Sequence, residues 1–465
     1  MSLREKAIKG GAILVGRQAI GIALSLVGVL FVTRVIGPRE FGIYAAGLGI
    51  TTFLSTFGTW GLDVYLLRKS GDVAAEEFDQ AFAILFWISL AFTVPIIAFR
   101  TLIAGLIRIP EAGAVLAALS LGTPFSLLAI PAIVKLDREL NFKAVAVNEL
   151  VSQVLCYVFA VPLALKGAGA WAPAVGSLAQ QVSLCVLSFW TAKLKPGWHW
   201  EYNLIRRMLG YGLSYSSSIW VWQLRNLVNP LIVGRLAGAE AVGFVALAIR
   251  IATLLSFAKA VTWRVALAAL AKLGGDLERL CRGITEGMRL QAVAIGLPLA
   301  GFAIVGPFVF PLFFGRRWTP ALGVFPFIAL SYLANSVFNL HSSVLYLLRK
   351  NWEVTWFHGS HVALFAGGAA LLVPRLGFMG YGWAEVAALP AYFLIHFFVV
   401  RHVGTPSYST SLIWSATIVV VFVLCSRGAP VAYLAFPILL LPATFSKERA
   451  SLIGYAHLLL SRTGV

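Results

Sequence analysis

Five cationic side chains fall inside stretches of this sequence that are otherwise apolar: Arg17, Arg225, Arg250, Lys259 and Arg264. A charge in hydrocarbon costs at least about 2.5 kcal/mol unless it lines a wet cavity or finds a partner, so each is a candidate functional residue. Guanidinium groups bind phosphate oxygens through two parallel hydrogen bonds. The set therefore predicts a site for an anionic group, although Lys259, Arg264 and Arg17 could instead extend to a membrane interface.

Polar residues accompany one of these cations at helical spacing. The predicted helix around Arg225 carries Ser218, Trp222, Asn226 and Asn229 on one face. Pro230 has no backbone N–H and is expected to loosen the helix locally, a feature of helices that line transport sites. A later stretch repeats this spacing with Asn335, Asn339, Ser342 and Tyr346. Such amides and hydroxyls could contact a sugar, or could instead join neighbouring helices.

Acidic residues are fewer in the apolar stretches, where they are Asp63, Glu149 and Glu385. Asp63, which we expect near the outer end of its helix, could pair with an arginine or bind a coupling cation. His358 and His361 lie three residues apart, but only Glu353 is nearby, so a packed pair is favoured over a metal site. The four cysteines are dispersed, which indicates neither disulfides nor metal ligands.

Motifs of ATP-driven pumps and of hydrolases do not occur in the sequence. It contains no GxxxxGK[ST] and no GxSxG, and its predicted outside segments carry no paired carboxylates. A membrane glycosyltransferase or polymerase would need an acidic catalytic pair on a large outside loop, and the predicted outside loops are short. We therefore expect a protein that is not an enzyme and that needs neither a cofactor nor a metal.

The composition excludes a soluble domain. The mean hydropathy is +0.86, and 59% of the 465 residues are hydrophobic while 12% are charged, which predicts a multi-pass membrane protein. The net charge of +18 would suggest nucleic acid as a partner of a soluble chain. Here the basic residues concentrate between apolar spans, so anionic membrane lipids are the expected partner and nucleic acid is not. The N-terminal apolar run contains Arg17 and no small-residue cleavage site, so we interpret it as an uncleaved first helix.

Charged and Pro/Gly breaks divide the sequence into fourteen candidate membrane spans. They lie at 10–32, 41–66, 80–107, 112–134, 145–165, 170–190, 212–236, 242–268, 286–313, 321–347, 355–373, 379–400, 410–426 and 428–445. If the N-terminus is inside, the inside segments hold more than twice as many Lys and Arg residues as the outside segments. Both termini are therefore predicted to be cytoplasmic.

Two stretches of the chain repeat each other at an offset of 201 residues. The stretch RVIGPREFGIYAAGLGITTFLS from Arg34 matches RLAGAEAVGFVALAIRIATLLS from Arg235, so that Gly37 falls on Gly238. The segment GAGAWA at 167–172 is echoed by GYGWA at 380–384. Because six spans, an even number, separate the copies, they should be parallel repeats about an axis near the membrane normal.

These observations predict an all-α fold of two pseudo-symmetric six-helix lobes around a central cavity, with two further helices at the C-terminus. The expected boundaries are 1–190 for the N-terminal lobe, 191–210 for a cytoplasmic interlobe linker, 211–400 for the C-terminal lobe and 401–465 for the last two helices and a cytoplasmic tail. The linker carries Trp198, Trp200 and Tyr202 beside Arg206 and Arg207. This composition suits the headgroup level or an ordinary basic loop.

Five segments, in order along nearly the whole chain, carry a resemblance to a known family. They are RVIGPREFGIY, KLDRELNFKAVAVNELV from Lys135, GAGAWAPAVGSLAQQ from Gly167, GRLAGAEAVGFVALAIRIA from Gly234 and LFFGRRWTPALGVF from Leu312. On these segments the chain resembles the bacterial polysaccharide transporter family, the flippases of lipid-linked oligosaccharides such as O-antigen units. That family belongs to a superfamily that also holds multidrug and toxin extrusion proteins and lipid II flippases.

The resemblance implies a function in cell-surface polysaccharide assembly. The chain would move undecaprenyl-diphosphate-linked units of lipopolysaccharide O-antigen or exopolysaccharide from the cytoplasmic to the periplasmic leaflet of the bacterial inner membrane by alternating access. A polysaccharide polymerase would be a partner. The residues expected to bind the substrate in a basic cavity are Arg17, Arg225, Asn226, Asn229, Arg250, Arg264, Asn335 and Asn339.

One departure from the family pattern concerns energy coupling. Members often carry an aspartate where Asn229 stands and an asparagine where Pro230 stands, so coupling to a cation is in doubt here. The membrane potential could replace it, since an outward-moving anion gains about 2.3 kcal/mol per charge per 100 mV. The alternative function is a cation-coupled exporter of small amphipathic compounds on the same fold, which would need an acidic cavity.

Overall fold

The computed structural model describes residues 3–69, 71–259, 276–426, 434–445 and 448–449. Within these ranges the chain is helical apart from short connections and contains no strand, which confirms the predicted all-α class. The helices are α1 Leu3–Gly58, α2 Leu62–Arg68, α3 Ala75–Ala98, α4 Arg100–Leu106, α5 Ala112–Ser120, α6 Gly122–Arg138, α7 Phe142–Leu165, α8 Trp171–Ala192, α9 Tyr202–Gln223, α10 Gly234–Leu255, α11 Leu277–Phe314, α12 Pro320–Leu347, α13 Asn351–Leu376, α14 Met379–Ala387, α15 Ala391–His402, α16 Ser409–Ser426 and α17 Ala435–Leu440.

Eleven helical stretches of the described chain are long and apolar enough to cross a membrane. Two of them are twice the usual length: Gly16–Gly58 has 43 residues and Ser216–Leu255 has 40. At about 1.5 Å per residue each is roughly 60 Å long, whereas the hydrocarbon core is about 30 Å thick. Each therefore holds two of the predicted spans. The fourteenth predicted span, 428–445, lies partly outside the described residues, so the number fourteen is approximate.

A kink at a glycine divides each of the two long helices. Gly37 in α1 has φ 81° and ψ 173°, and Gly238 in α10 has φ 85° and ψ 177°. Only glycine adopts this region readily, because any Cβ would clash with the backbone. The two residues occupy matching positions of the sequence repeat. The two copies of the repeat, which are 201 residues apart, thus have the same backbone conformation at their matching glycines.

Further connections show the same correspondence between the two repeats. Residues with positive φ recur in pairs in the connections that follow, namely Arg108 with Gly315, Leu140 with Arg349 and Gly167 with Gly377. The offset within these pairs grows from 207 to 209 and 210 residues. The growth is what small insertions in the loops of the second repeat would produce. These matching conformations support the predicted sequence repeat, and its parallel orientation stays a prediction.

The chain forms two compact units. The first consists of Met1–Leu247, Phe313–Trp318 and His358–Ala384, and the second of Ala248–Leu312, Thr319–Phe357 and Glu385–Val465. A buried cluster that includes Leu62, Leu85 and Met208 belongs to the core of the first unit. In the second, Phe302 packs edge-on against Phe325 at 4.8 Å between ring centroids. Each unit contains segments of the second repeat, so the lobe boundaries near residues 190 and 210 stay a prediction.

The segment 194–201, within the predicted interlobe linker, has no helical structure and leads into α9. It lies along α3, where Trp198 packs on Phe86 with 5.3 Å between ring centroids. The backbone N–H of Glu201 donates to Oε1 of Gln80 at 2.7 Å. More than half of the surface of Trp198 and of Trp200 is exposed. The position of the segment 194–201 at the level of the lipid headgroups stays a prediction.

Candidate substrate-binding site

The segment around Arg225 departs from regular α-helix. After α9 ends at Gln223, Leu224–Leu227 form a 3-10 turn and Asn229–Val233 a π turn, before α10 begins. The local loosening expected from Pro230 is therefore confirmed. The second half of α1 approaches this segment at Gly49, where an added Cβ would lie 3.1 Å from the carbonyl oxygen of Asn226. A glycine here permits helix backbones to come close together.

Two aromatic rings hold the guanidinium group of Arg225. Its Cζ lies 4.7 Å from the ring centroid of Trp222 and 5.6 Å from that of Phe365, which comes from α13. Each cation–π contact is worth about 0.5–2 kcal/mol, depending on how far it is removed from water. Contacts of this kind restrict the positions that the guanidinium group can adopt. The arrangement suits recognition of a phosphate by an oriented arginine.

Two histidines of α13 pack against the same tryptophan. The ring centroids of His358 and His361 lie 4.9 and 5.1 Å from that of Trp222, and Nδ1 of His358 is 2.8 Å from the carbonyl oxygen of Ser218. In the described part of the chain no group of three or more His, Cys, Asp or Glu residues could hold a metal. Phe365 was not among the predicted site residues, although its spacing of four from His361 places both on one face of α13.

Asn226 and Asn229 contact different neighbours because the helix changes its pitch between them. Nδ2 of Asn226 donates to Oε1 of Gln223 at 3.1 Å, and Nε2 of Gln223 donates to Oγ1 of Thr56 in α1 at 3.1 Å. Asn229 is buried, and its Nδ2 donates to the carbonyl oxygen of Val242 at 3.3 Å. The polar face predicted for a regular helix is thus divided between α1 and α10.

Arg17 lies in the first unit and forms an ion pair with Glu149 of α7. Its Nη2 also donates to Oε1 of Gln18 at 2.7 Å, and the neighbouring Gln153 donates to the carbonyl oxygen of Gly21 at 2.8 Å. Two costly charges of the apolar stretches thus compensate each other between α1 and α7. To bind substrate, Arg17 would have to contact it while still paired with Glu149, or leave Glu149 first.

Other predicted site residues belong to the second unit. Arg250 is exposed on α10, and Nζ of Lys259 donates to Oδ1 of Asn335 in α12. Asn339 lies one turn beyond Asn335, and its Nδ2 is buried without a hydrogen-bond partner among the described residues. Oγ of Ser331 donates to Oε2 of the fully buried Glu385 at 2.7 Å. Arg264 lies outside the described residues.

Asp63 lies beyond the first long helix, in the first turn of α2. It precedes Arg68, which the charge count assigns to the cytoplasmic side, so its place at the outer end of a helix stays a prediction that this count does not favour. Burial raises the pKa of its carboxyl group, although the backbone N–H groups of Val64 and of Asp63 itself counteract this effect. Oδ1 is buried without a hydrogen-bond partner among the described residues. The structure therefore shows no arginine paired with this oxygen.

Comparison with known proteins identifies the family. Residues 31–323 match the family described as "Polysaccharide biosynthesis protein", which is more than half of the chain. The chain belongs to this family. It is 22% identical over 355 residues to the lipopolysaccharide biosynthesis protein WzxC of Escherichia coli (strain K12), covering 74% of this chain and 70% of WzxC. It is 34% identical over 152 residues to the succinoglycan biosynthesis transport protein ExoT of Rhizobium meliloti (strain 1021), covering 32% of this chain and 30% of ExoT.

The fold has a known counterpart among solved structures. The chain is similar to the lipid II flippase MurJ in an inward closed conformation, with a TM-score of 0.75 over 97% of this chain and 100% of MurJ at 14% identity. At that identity the likeness shows the fold alone. The family match and the names of the relatives WzxC and ExoT confirm a multi-pass membrane transport protein of polysaccharide biosynthesis.

The region matched to the polysaccharide biosynthesis family contains part of the candidate site. It begins just before the Gly37 kink and ends after Trp318, so it includes the broken segment with Arg225 and Asn229. Phe365 and the two histidines of α13 lie beyond it. One side of the candidate site therefore comes from the matched region of the family and the other from the rest of the chain.

Proposed function

We propose that the chain is a flippase that moves polyprenyl-diphosphate-linked oligosaccharide units from the cytoplasmic to the periplasmic leaflet of the bacterial inner membrane. The observation that carries the proposal is the setting of Arg225. It is a cation within an apolar span, oriented by Trp222 and Phe365, on a segment where two irregular turns replace the α-helix. Irregular backbone at membrane depth is tolerated where it lines a cavity or is buried in protein.

The chemistry of this setting fits a diphosphate with sugars attached. A guanidinium binds two phosphate oxygens at once, and its planar fork is already fixed by the ring of Trp222, so little conformational entropy is lost on binding. Flat aromatic rings also pack well against the apolar faces of sugar rings. WzxC is named for lipopolysaccharide biosynthesis, ExoT for succinoglycan biosynthesis transport, and MurJ as a lipid II flippase. These names support the same substrate class here.

A cation-coupled exporter of small amphipathic compounds is the alternative, and the described acidic residues favour it less. Such an exporter needs carboxylates able to take up and release a cation. Glu149 is occupied by Arg17, Glu385 accepts a hydrogen bond from Ser331, and Asp63 lies beyond the first long helix. An inside-negative potential would instead drive an anionic headgroup outward without a coupled ion.

The first experiment replaces Arg225 in cells that lack the chromosomal gene. We expect lipid-linked units to accumulate on the inner leaflet of the deletion strain, and Arg225→Ala to restore flipping at least about tenfold less well than the wild type. That factor corresponds to about 1.4 kcal/mol, the lower range for a lost hydrogen bond to a charged group. Arg225→Lys should restore part of the activity, because it keeps the charge but not the fork.

Arg282→Ala is the matched control, because Arg282 is an exposed arginine of α11 that pairs weakly with Glu278. Full rescue by Arg225→Ala would remove Arg225 from the site. A deletion strain without accumulated lipid-linked units would overturn the flippase itself, and altered sensitivity to amphipathic drugs would support the exporter. Flipping in proteoliposomes that responds to a sodium or proton gradient but not to voltage would exclude drive by the potential.

A further inference from the structure

The two repeats touch each other just after their kinks. On α1 the contact involves Pro38 and Gly42, and on α10 it involves Ala239 and Gly243, which are the matching residues at an offset of 201. A Cβ added to Gly42 would lie 1.7 Å from the carbonyl oxygen of Ala239, and one added to Gly243 would lie 2.2 Å from that of Pro38. We call this reciprocal contact of four residues the glycine crossing.

The glycine crossing is a backbone-to-backbone contact with no room for a side chain at its centre. Ala239 and Gly243 are small residues four positions apart on α10, and Gly42 is the small residue that they meet on α1. Such residues let membrane helices approach closely. In a membrane this association rests on van der Waals packing and not on the hydrophobic effect, because lipid tails are as apolar as the helices. The contact therefore depends on how closely the two backbones fit together, and an added side chain would disturb that fit.

Two connections pack against the opposite repeat beside the glycine crossing. One joins α11 to α12, and the other joins α4 to α5. Trp318, from the connection between α11 and α12, is 1% exposed, and its Nε1 donates to the carbonyl oxygen of Thr33 at 3.1 Å. Its ring meets Phe41 and Phe244 edge-on, at 5.7 and 6.1 Å between centroids. One aromatic side chain thus contacts α1 and α10 together.

The other half of this arrangement uses the connection between α4 and α5. Ile109 is 3% exposed, and its Cδ1 would lie 3.3 Å from a Cβ added to Gly234. Gly234 is the residue that matches Thr33 at an offset of 201. Each repeat therefore closes over the first helix of the other. We call the contacts of Trp318 with Thr33 and of Ile109 with Gly234 the swapped clasp.

We infer that the glycine crossing, held by the swapped clasp, is the outer gate of the transport path in its closed state. Alternating access requires the repeats to separate on one side of the membrane at a time, and this contact joins them near the connections that the charge count places outside. Trp318 and Ile109 must leave the opposite repeat before α1 and α10 can move apart. The inference rests on the proposed transport function but concerns a different part of the molecule from Arg225.

The inference predicts that a bulky residue at the crossing holds the gate open. In Gly243→Leu the new side chain would occupy the space of the Pro38 carbonyl, so the closed contact could not form. Gly367→Leu is the matched control, because Gly367 also lies within a long apolar helix, and a Cβ there would meet no heavy atom within 4 Å. We expect Gly243→Leu to reduce flipping at least about tenfold and Gly367→Leu to leave it unchanged.

The position of the gate can be measured without substrate. Arg39 and Glu240 are exposed and directly follow Pro38 and Ala239. Spin labels on Arg39→Cys and Glu240→Cys, with the four native cysteines replaced by alanine, should show a short distance in the parent protein. Gly243→Leu should shift this population to a longer distance, and Gly367→Leu should not. An unchanged distance in Gly243→Leu would overturn the inference.

A reducible cross-link between the same two cysteines tests whether transport requires the contact to open. We expect the tether to lower flipping at least about tenfold and reduction of the tether to restore it. A tethered protein that flips normally contradicts the gate, whatever the labels show. If the untethered protein moves no lipid-linked oligosaccharide, the proposed function fails, and the distance shift in Gly243→Leu then decides on the gate alone.

Discussion

The two glycine kinks share a backbone conformation but differ in what surrounds them. At the first, Nη1 of Arg34 donates to the carbonyl oxygen of Phe313 at 3.3 Å and Arg39 pairs with Glu111 at 2.5 Å. Glu40 also accepts a hydrogen bond from the backbone N–H of Ala170 at 3.0 Å. The matching residues of the second copy, Arg235 and Glu240, are exposed and have no such contacts with the described residues.

The difference separates local from tertiary causes. Both copies kept a glycine where φ is positive, because the turn between antiparallel spans depends on that single backbone conformation. Only the first copy acquired polar anchors to other connections of its unit. Its geometry is therefore fixed twice, by its own backbone and by its neighbours, while the second copy relies on backbone conformation and packing. We expect the second kink to be the more mobile of the two.

The largest effect that tests this comparison concerns the swapped clasp. Trp318→Ala removes a fully buried aromatic ring and the hydrogen bond to Thr33, so we expect a loss of about 3–5 kcal/mol, against about 2 kcal/mol for Ile109→Ala. Thermal unfolding of the purified protein in detergent would rank the two variants. Equal losses would mean that both halves of the clasp hold equally, and that the first copy has no stronger anchor.

A second, smaller effect tests whether the backbone alone dictates the kinks. Gly37→Ala and Gly238→Ala each force a Cβ into a conformation that only glycine adopts readily, at a cost of about 1–3 kcal/mol. We expect the two losses of stability to match, since an added Cβ finds only the Arg317 side chain, 3.6 Å away, at Gly37 and open space at Gly238. Gly367→Ala serves as the control, because alanine favours a helix. A much larger loss at Gly37 would show that its anchors, and not its backbone, dominate.

Features that depend on local sequence were predictable. Long apolar runs predicted the membrane spans, and the missing N–H of Pro230 predicted the irregular backbone near it. The repeat at an offset of 201 residues predicted that Gly37 and Gly238 correspond, which their shared conformation supports. Each of these features is decided within about 20 residues of chain, because helix formation and membrane insertion respond to local composition.

Features that depend on distant contacts were not predictable. Arg17 meets Glu149 from 132 residues away, and Arg225 contacts Phe365 of another helix. The sequence showed that Gly42 and Gly243 correspond, but not that they touch each other. A single sequence does not show which helix faces which. The intramembrane charges could therefore be predicted as a group, but their individual partners could not. The roles of these residues in binding stay predictions.

The smallest expected effect concerns the ion pair at the first kink. A backbone N–H and the guanidinium of Arg39 both lower the pKa of Glu111. Because the folded protein favours the charged carboxylate, the pair stabilises the fold above the unfolded pKa of about 4.3 and this contribution disappears as the pH falls further. Both side chains are about half exposed, so Glu111→Gln should cost only about 0.2–1 kcal/mol at pH 7.

Unfolding temperatures of this variant and of the wild type should converge as the pH is lowered below 4. Glu240→Gln, an exposed position at the second kink, is the matched control and should unfold at the wild-type temperature at pH 7. If the Glu111→Gln difference survived at low pH, the anchor at the first kink would rest on packing and not on charge.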